Sequence, residues 1–317
     1  MQSDGASAAR GESPARSASR VTDGKPRTLI GLIPAGDDEL VLNEVASTTD
    51  GRSRFAKTSG ASPVVLRLCR VLDEDPDLAE AVPDAIREQA VRECLARVVS
   101  IRPGGWNGAQ IPAPSEGIGL LVLSGLLICR VGIGTGSGAE LLGEGDLLRP
   151  WEGGDEPLTL PVTTGWQMLE PTRLAMLDEA FGRRLARYPQ LSARLVGRAL
   201  ERSRNLAVNM AIIHHARIDV RLHMLFWHLA KRWGRVRPEG VGLPLRLTHS
   251  ILAELVAARR PTVTSALSEL TRRELVRAMD GGWLLFGEPP GELLELTPVL
   301  SSPASEEAPG STVTGVT

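Results

Sequence analysis

Near the C-terminus, apolar residues recur at helical spacing in two short runs. Ile251, Leu252, Leu255 and Val256 form the first stripe, and Thr248 just ahead of it is a good N-cap. Val263, Ala266, Leu267 and Leu270 form the second at i, i+3, i+4 and i+7, which turns them inward. Ala257 and Ala258 mark a tight break between the two helices. Pro261 falls in the first turn of the second, where its missing N–H costs nothing. Val276–Met279 and Trp283–Phe286 then flank Asp280-Gly281-Gly282, a hairpin signal. Helix, tight turn, helix and hairpin predict a winged helix-turn-helix within 216–290. The outward positions of the second helix are Pro261, Ser265, Ser268 and Arg272, with Arg259 and Arg260 at its start. Small polar residues and arginines on such a face suit a DNA major groove. A helical pair with a merely solvated, charged face is the plain alternative.

Upstream, the pattern divides the chain further. Ala216–Trp233 is helical, with Leu222, Leu225, Phe226 and Leu229 as its buried stripe and Gly234 as its end. A short helix and then a long one are expected over 181–215, the long one starting at Pro189. Its packed stripe is Leu191, Leu195, Leu206, Met210 and Ile213, with Arg194, Arg198, Arg202 and Arg204 between. From Ala96 to Leu177 the period shifts towards strands. Arg97–Ile101 alternates, and Leu120–Val131 is a long apolar run broken by Ser124-Gly125. Gly143-Glu144-Gly145-Asp146 is a turn, and Gly165–Leu169 and Arg173–Leu177 are further strands. Many short strands punctuated by Gly and Pro predict a sandwich or roll over 61–180. Val64–Leu95 ahead of it reads as helical, cut by Pro76 and Pro83. Residues 1–60 and 291–317 read as disordered tails, with an amphipathic partner-binding element at Leu40–Ala46 as the alternative for part of the first. The fold class expected is α+β.

Thr248, Ala253, Arg260, Thr262, Val263, Leu267 and Leu270 stand at the spacing of the Crp/Fnr transcription regulators, and the C-terminal region resembles that family. The roll resembles the family's sensory domain more weakly, through L-L-V-L-S-G, the loop after Arg130 and L-L-G-E-G-D-L-L. The resemblance implies a cyclic-nucleotide-binding-like roll, a long dimerisation helix and a winged helix-turn-helix. It implies a homodimer on near-palindromic double-stranded DNA, joined through the Leu191, Leu195, Leu206, Met210 and Ile213 stripe. The DNA-facing set would be Thr248, His249, Arg259, Arg260, Pro261, Thr262, Thr264, Ser265 and Ser268, and RNA polymerase is a candidate partner. Two positions depart from the best-known members: Pro261 stands where they often carry Glu, and Ser265 where they often carry Arg. Members that bind cyclic AMP carry G-E-L and, later, R-[ST]-A. This chain has neither, and only Arg149 and Arg173 between Asp146 and Leu177, with Glu152, Asp155 and Glu156 nearby. Cyclic AMP is therefore not the expected ligand, and the sequence names no other effector. Trp151 and Trp166 are expected to pack in the core rather than line a ligand pocket.

Charge supports the DNA reading. The 317-residue chain carries a formal net charge of −2, yet Ala216–Trp283 holds 12 basic and 6 acidic residues, a net of +6 that leaves −8 elsewhere. A basic module hidden in a near-neutral chain is the electrostatic footprint of a DNA binder. Aromatics are 3%, which argues against stacking on single strands. The three cysteines, Cys69, Cys94 and Cys129, are far apart and form no C-x-x-C pair. No cofactor or metal is expected, and the cysteine usage fits a reducing cytoplasm. The N-terminus lacks a signal-peptide apolar region, and no uninterrupted apolar run spans a membrane.

Three other readings fail on the residues. Gly134-Thr135-Gly136-Ser137-Gly138-Ala139 matches a dinucleotide fingerprint, with Asp155 further on, but the glycines and Pro150 behind it leave no room for the helix it needs. A cupin-type metal site would need histidines in the roll, and all five lie at His214 or later. His214, His215, His223 and His228 could share a metal by spacing, yet helix-surface or core histidines explain them more simply. No nucleophile–base pair supports an enzyme. A winged-helix module that binds protein rather than DNA is the alternative function.

Overall fold

The computed structural model describes residues 29–36, 39–45, 64–108, 111, 117–134, 136–151 and 162–291. Three antiparallel sheets and eight helices make up the described chain. The first strands are β1 (Leu29–Gly36), β2 (Glu39–Val45) and β3 (Val64–Arg70). Three short helices follow: α1 (Val71–Glu74), α2 (Pro76–Glu80) and α3 (Asp84–Glu93). The body of the roll is β4 (Leu95–Ile101), β5 (Gly104–Trp106), β6 (Gly119–Ser124), β7 (Leu126–Ile133), β8 (Gly136–Gly143), β9 (Leu147–Leu148), β10 (Val162–Met168) and β11 (Thr172–Leu177). One sheet runs β1-β2-β3-β4-β11-β6-β9, and its partner runs β5-β10-β7-β8.

Two expectations are corrected here. The apolar patches within the expected N-terminal tail form β1 and β2, a hairpin that joins the first sheet through β3. The rest of 1–60, and the whole of the tail beyond Gly291, lie outside the described residues. The N-terminal part of the expected helical lead-in, Val64–Arg70, is a strand paired antiparallel to β4 from Leu66↔Val99 to Arg70↔Leu95. V-V-L-R-L-C-R alternates as well as it spirals, and pairing with β4 decides between the two.

The long apolar run at Leu120–Val131 has a packing reason. Leu120 and Val122 of β6 meet Leu127 and Cys129 of β7 between the sheets, with Val99, Leu142, Met168, Leu174 and Met176. Leu121 and Leu123 face the other way, into a core with Val71, Leu78, Phe181, Leu185 and Leu191. Leu126 and Ile128 face outward from the second sheet into a third core, shared with the C-terminal domain. Strands buried on both faces lose polar alternation, so the run reads as continuous. Gly125 has φ +103 where the chain crosses between sheets, and a side chain there would meet the Pro171 carbonyl oxygen at 2.6 Å. Trp106 and Trp166 meet edge to face at 6.1 Å, and Trp166 and Trp151 pack against the inter-sheet core, as expected. Gly134 and Gly136–Ala139 belong to the β7–β8 hairpin.

Helices α4 (Glu179–Leu185) and α5 (Pro189–His214) lead out of the roll, and α6 (Ile218–Trp233) enters the C-terminal domain. That domain continues with β12 (Arg235–Arg237), β13 (Gly240–Leu243), α7 (His249–Leu255), α8 (Arg260–Arg272), β14 (Val276–Met279) and β15 (Gly282–Leu285). Its sheet runs β12-β13-β15-β14, so the wing hairpin is half of a four-stranded sheet. The β12–β13 half escaped the sequence reading because β12, Arg-Val-Arg, is exposed throughout and carries no apolar alternation.

Candidate nucleic-acid interface

The helix-turn-helix forms as its sequence dictates. Thr248 Oγ1 accepts from the Ile251 N–H at 3.3 Å, capping α7. The α7–α8 break uses Ala257 with φ 49, a left-handed conformation that ends the helix sharply. Val263, Ala266, Leu267 and Leu270 are buried against α6 and the sheet. The opposite face of α8 is open: Arg259, Arg260, Pro261, Thr262, Thr264, Ser265 and Ser268 are all exposed. Arg259 precedes the first turn in extended conformation, and Pro261 lies in that turn.

Several polar groups on this face are already oriented. Thr264, Ser265 and Ser268 donate their hydroxyls back to the carbonyls of Arg260, Pro261 and Thr264, at 3.1, 3.3 and 3.1 Å. Their oxygens keep lone pairs to accept from a base amine or backbone N–H. His249 Nδ1 lies 3.0 Å from Thr264 Oγ1, so the two helices are pinned across the face that would meet a phosphate. Arg272 is committed to Glu269, through Nε–Oε2 at 2.9 Å and Nη2–Oε1 at 2.6 Å. Arg259 and Arg260, by contrast, have no such clasp among the described residues. At the wing, Gly281 turns with φ +80, and Arg277 lies over the Phe286 ring at 5.1 Å.

The residues read from sequence as the dimer stripe lie along one side of α5, but they are not equally open. Leu191 and Leu195 are 1% and 4% exposed, sealed into the core beneath the roll. Ile212, next to Ile213, is buried against the C-terminal domain. Of the five, Met210 is the most open at 59%, and Leu206 is exposed too. Helix α5 is apolar on two sides, and leucine spacing alone cannot say which side meets its own chain. Val196 and Leu200, at 59% and 61% exposed, were missed. With Ser203, Ala207, Met210 and His214 they recur at alternating steps of four and three, which is a heptad seam. That spacing was present in the sequence.

The arginines of α5 point to the roll. Arg198 grips Asp75 through Nη1–Oδ2 at 2.6 Å and Nη2–Oδ1 at 2.8 Å, and also Asp77. Arg194 pairs with Asp77, and Arg202 clasps Glu140 at 2.7 and 2.8 Å. These contacts hold Asp77 below the usual carboxylate range, the Arg194 hydrogen bond contributing most. Asp75 and Asp77, in the acidic run at the start of the roll, thus anchor α5. A cavity of about 520 Å³ lies where α5, the β8–β9 turn and α6 meet, and Arg194, Arg198, Arg202 and Arg232 on its wall are each already ion-paired.

In the roll, Arg173 is held by Glu74, and Arg149 is exposed. Residues 152–161, where Glu152, Asp155 and Glu156 fall, lie outside the described chain. Cys94 and Cys129 are buried and Cys69 partly so, and burial is the first cause that pushes each thiol up to about 11. His223 is buried, and its Nε2 accepts from Trp227 Nε1 at 3.0 Å, which occupies a nitrogen a metal would need. Among the described residues no group of three or more His, Cys, Asp or Glu could hold a metal ion. No helix among them is long and apolar enough to cross a membrane.

Residues 220–286 match the Crp-like helix-turn-helix domain family. No curated protein matches the chain. Among solved structures, a cyclic nucleotide-binding domain containing protein from Listeria monocytogenes is 14% identical and superposes with a TM-score of 0.51, over 68% of this chain and 97% of that one. A CRP/FNR family transcriptional regulator from Thermus thermophilus is 23% identical over 60% of this chain and 93% of that one, with a TM-score of 0.37. A CooA mutant from Carboxydothermus hydrogenoformans is 17% identical over 63% and 87%, with a TM-score of 0.46.

Proposed function

We propose that this chain, a Crp/Fnr-type regulator in its helix-turn-helix domain and its fold, binds specific double-stranded DNA as a homodimer and does so without cyclic AMP. The observation that carries the reading is the exposed face of α8. It pairs two uncommitted arginines, Arg259 and Arg260, with a row of small hydroxyls, on a module whose net charge is +6. A planar guanidinium reads a guanine edge through O6 and N7 together, and Ser or Thr hydroxyls adapt to any base. Thr248, His249 and Thr262 are better suited to phosphates, which position without specifying.

The homodimer rests on α5. Val196, Leu200, Ala207 and Met210 form an exposed apolar seam at heptad spacing, and the opposite side of the helix is buried in its own chain. The occupant that matches such a seam is the same helix of a second copy. Two-fold pairing would set two copies of α8 roughly 34 Å apart, in successive major grooves of a near-palindrome. RNA polymerase is the proposed downstream partner, and the cytoplasm the proposed compartment.

Binding-site selection with purified chain, followed by titration across salt, tests the proposal. A two-fold-symmetric motif and an affinity that falls steeply with salt are expected. Selection that enriches nothing, with retention on immobilised protein partners instead, would favour the protein-binding alternative.

A further inference from the structure

The C-terminal domain does not hang from α5 by its linker alone. Leu126, Ile128 and Leu141 of the β7–β8 ribbon share one buried core with Leu225, Leu229 and Leu255 of that domain. Above this core Arg130 of β7 clasps Glu254 of α7, Nε–Oε2 at 2.5 Å and Nη2–Oε1 at 3.3 Å. Gln167 of β10 steadies the same guanidinium, its Oε1 accepting from Nη2 at 2.8 Å. On the other flank Arg232 of α6 reaches Asp146 at 2.8 Å and the Glu144 carbonyl at 2.6 Å, in the β8–β9 turn. Arg221 bridges the His215 carbonyl, at the end of α5, to the Val256 carbonyl at 3.1 Å. Every one of these contacts lies away from the exposed face of α8.

We propose that the β7–β8 ribbon is a strut that fixes the orientation of the reading head, and that Arg130 is its positioning residue through Glu254. The inference rests on the DNA reading above. A dimer engages two half-sites at once only if both heads are held at the spacing of one DNA turn. A head free to swing would still bind one half-site but would lose the gain from the second, because the second contact depends on effective concentration and geometry. The strut leaves the reading face open, so the docked orientation is compatible with DNA.

The test compares the selected palindrome with a single half-site duplex. Arg130→Glu and Glu254→Arg should each lower palindrome affinity about tenfold, a coupling ordinary for a shared pair, with half-site affinity unchanged. Arg130→Gln, which removes the clasp without repulsion, should do so more weakly. The double variant Arg130→Glu/Glu254→Arg should recover the palindrome-to-half-site ratio. A ratio that stays the same or rises in the single variants, or is not recovered in the double variant, overturns the strut. Hydrogen exchange separates this failure from that of the DNA reading. Amides of β7, β8 and α7 should lose protection together in either single variant and regain it in the double, whether or not any DNA is selected. Unchanged protection in the single variants sinks the proposal independently.

Discussion

Arg173 and Glu74, 99 residues apart, meet in a two-point ion pair, Nη1–Oε2 at 2.7 Å and Nη2–Oε1 at 2.8 Å. The Arg173 hydrogen bond is the first cause that holds the Glu74 carboxyl below its ordinary range. Arg173 thus ties β11 to α1 rather than offering a free charge to a cyclic phosphate.

Titration calorimetry with cyclic AMP or cyclic GMP at micromolar concentration should therefore show no binding. Arg173→Ala should lower the melting temperature without altering that result. Saturable binding to the unmodified chain, abolished in Arg149→Ala or Arg173→Ala, would reverse the reading of the roll.

Substitutions on the two sides of α5 should separate cleanly. Leu200→Asp and Met210→Asp put charge on the exposed seam, so light scattering should report folded monomers. Leu195→Asp buries an unpaired charge within its own chain and should cost about 3 kcal/mol or more of stability, with unfolding rather than dissociation as its signature. If both seam variants stay dimeric with wild-type stability, the seam is not the interface.

Arg260→Ala should cost about 1–3 kcal/mol per half-site and relax the preference at one base pair. His249→Ala should weaken all sequences alike, since its ring sits at the start of α7 beside Thr264 rather than at the start of α8. Repeating the site selection on each variant at fixed salt gives the answer. An unaltered motif and affinity for Arg260→Ala would mean that α8 is not the reading helix.

Burial, with a smaller contribution from Lys231, holds the His228 imidazole below its ordinary 6.5. The folded state favours the neutral ring, so its contribution is complete above that value and is lost as pH falls from it through the lower folded value. Melting temperature should drop as pH falls below about 6.5, and His228→Leu should flatten that slope. Glu74 and Asp77, both depressed carboxylates, lose their contribution only below about pH 4, outside this window. A slope identical in the variant would show that other groups control the response.

The helix-turn-helix was legible because its information is local. A cap at Thr248, a proline at the start of α8 and two stripes need no distant partner to be recognised. β3 was not, because V-V-L-R-L-C-R satisfies both periods and only pairing with β4 chooses. The two apolar sides of α5 were visible in the spacing, but which side meets its own chain depends on Val71 and Leu78, far away in sequence. The Arg130–Glu254 clasp spans 124 residues and carries no local signature at all.

The core shared by the ribbon and the head also orders events in time. Leu126, Ile128 and Leu141 leave the ribosome well before Leu225 and Leu255, with which they are finally buried. At roughly 5–20 residues per second, that strip stays uncovered on the order of ten seconds during synthesis. The nascent roll therefore presents an apolar ribbon to its surroundings until its own reading head arrives to cover it, an interval in which chaperones and misassembly compete for the same surface.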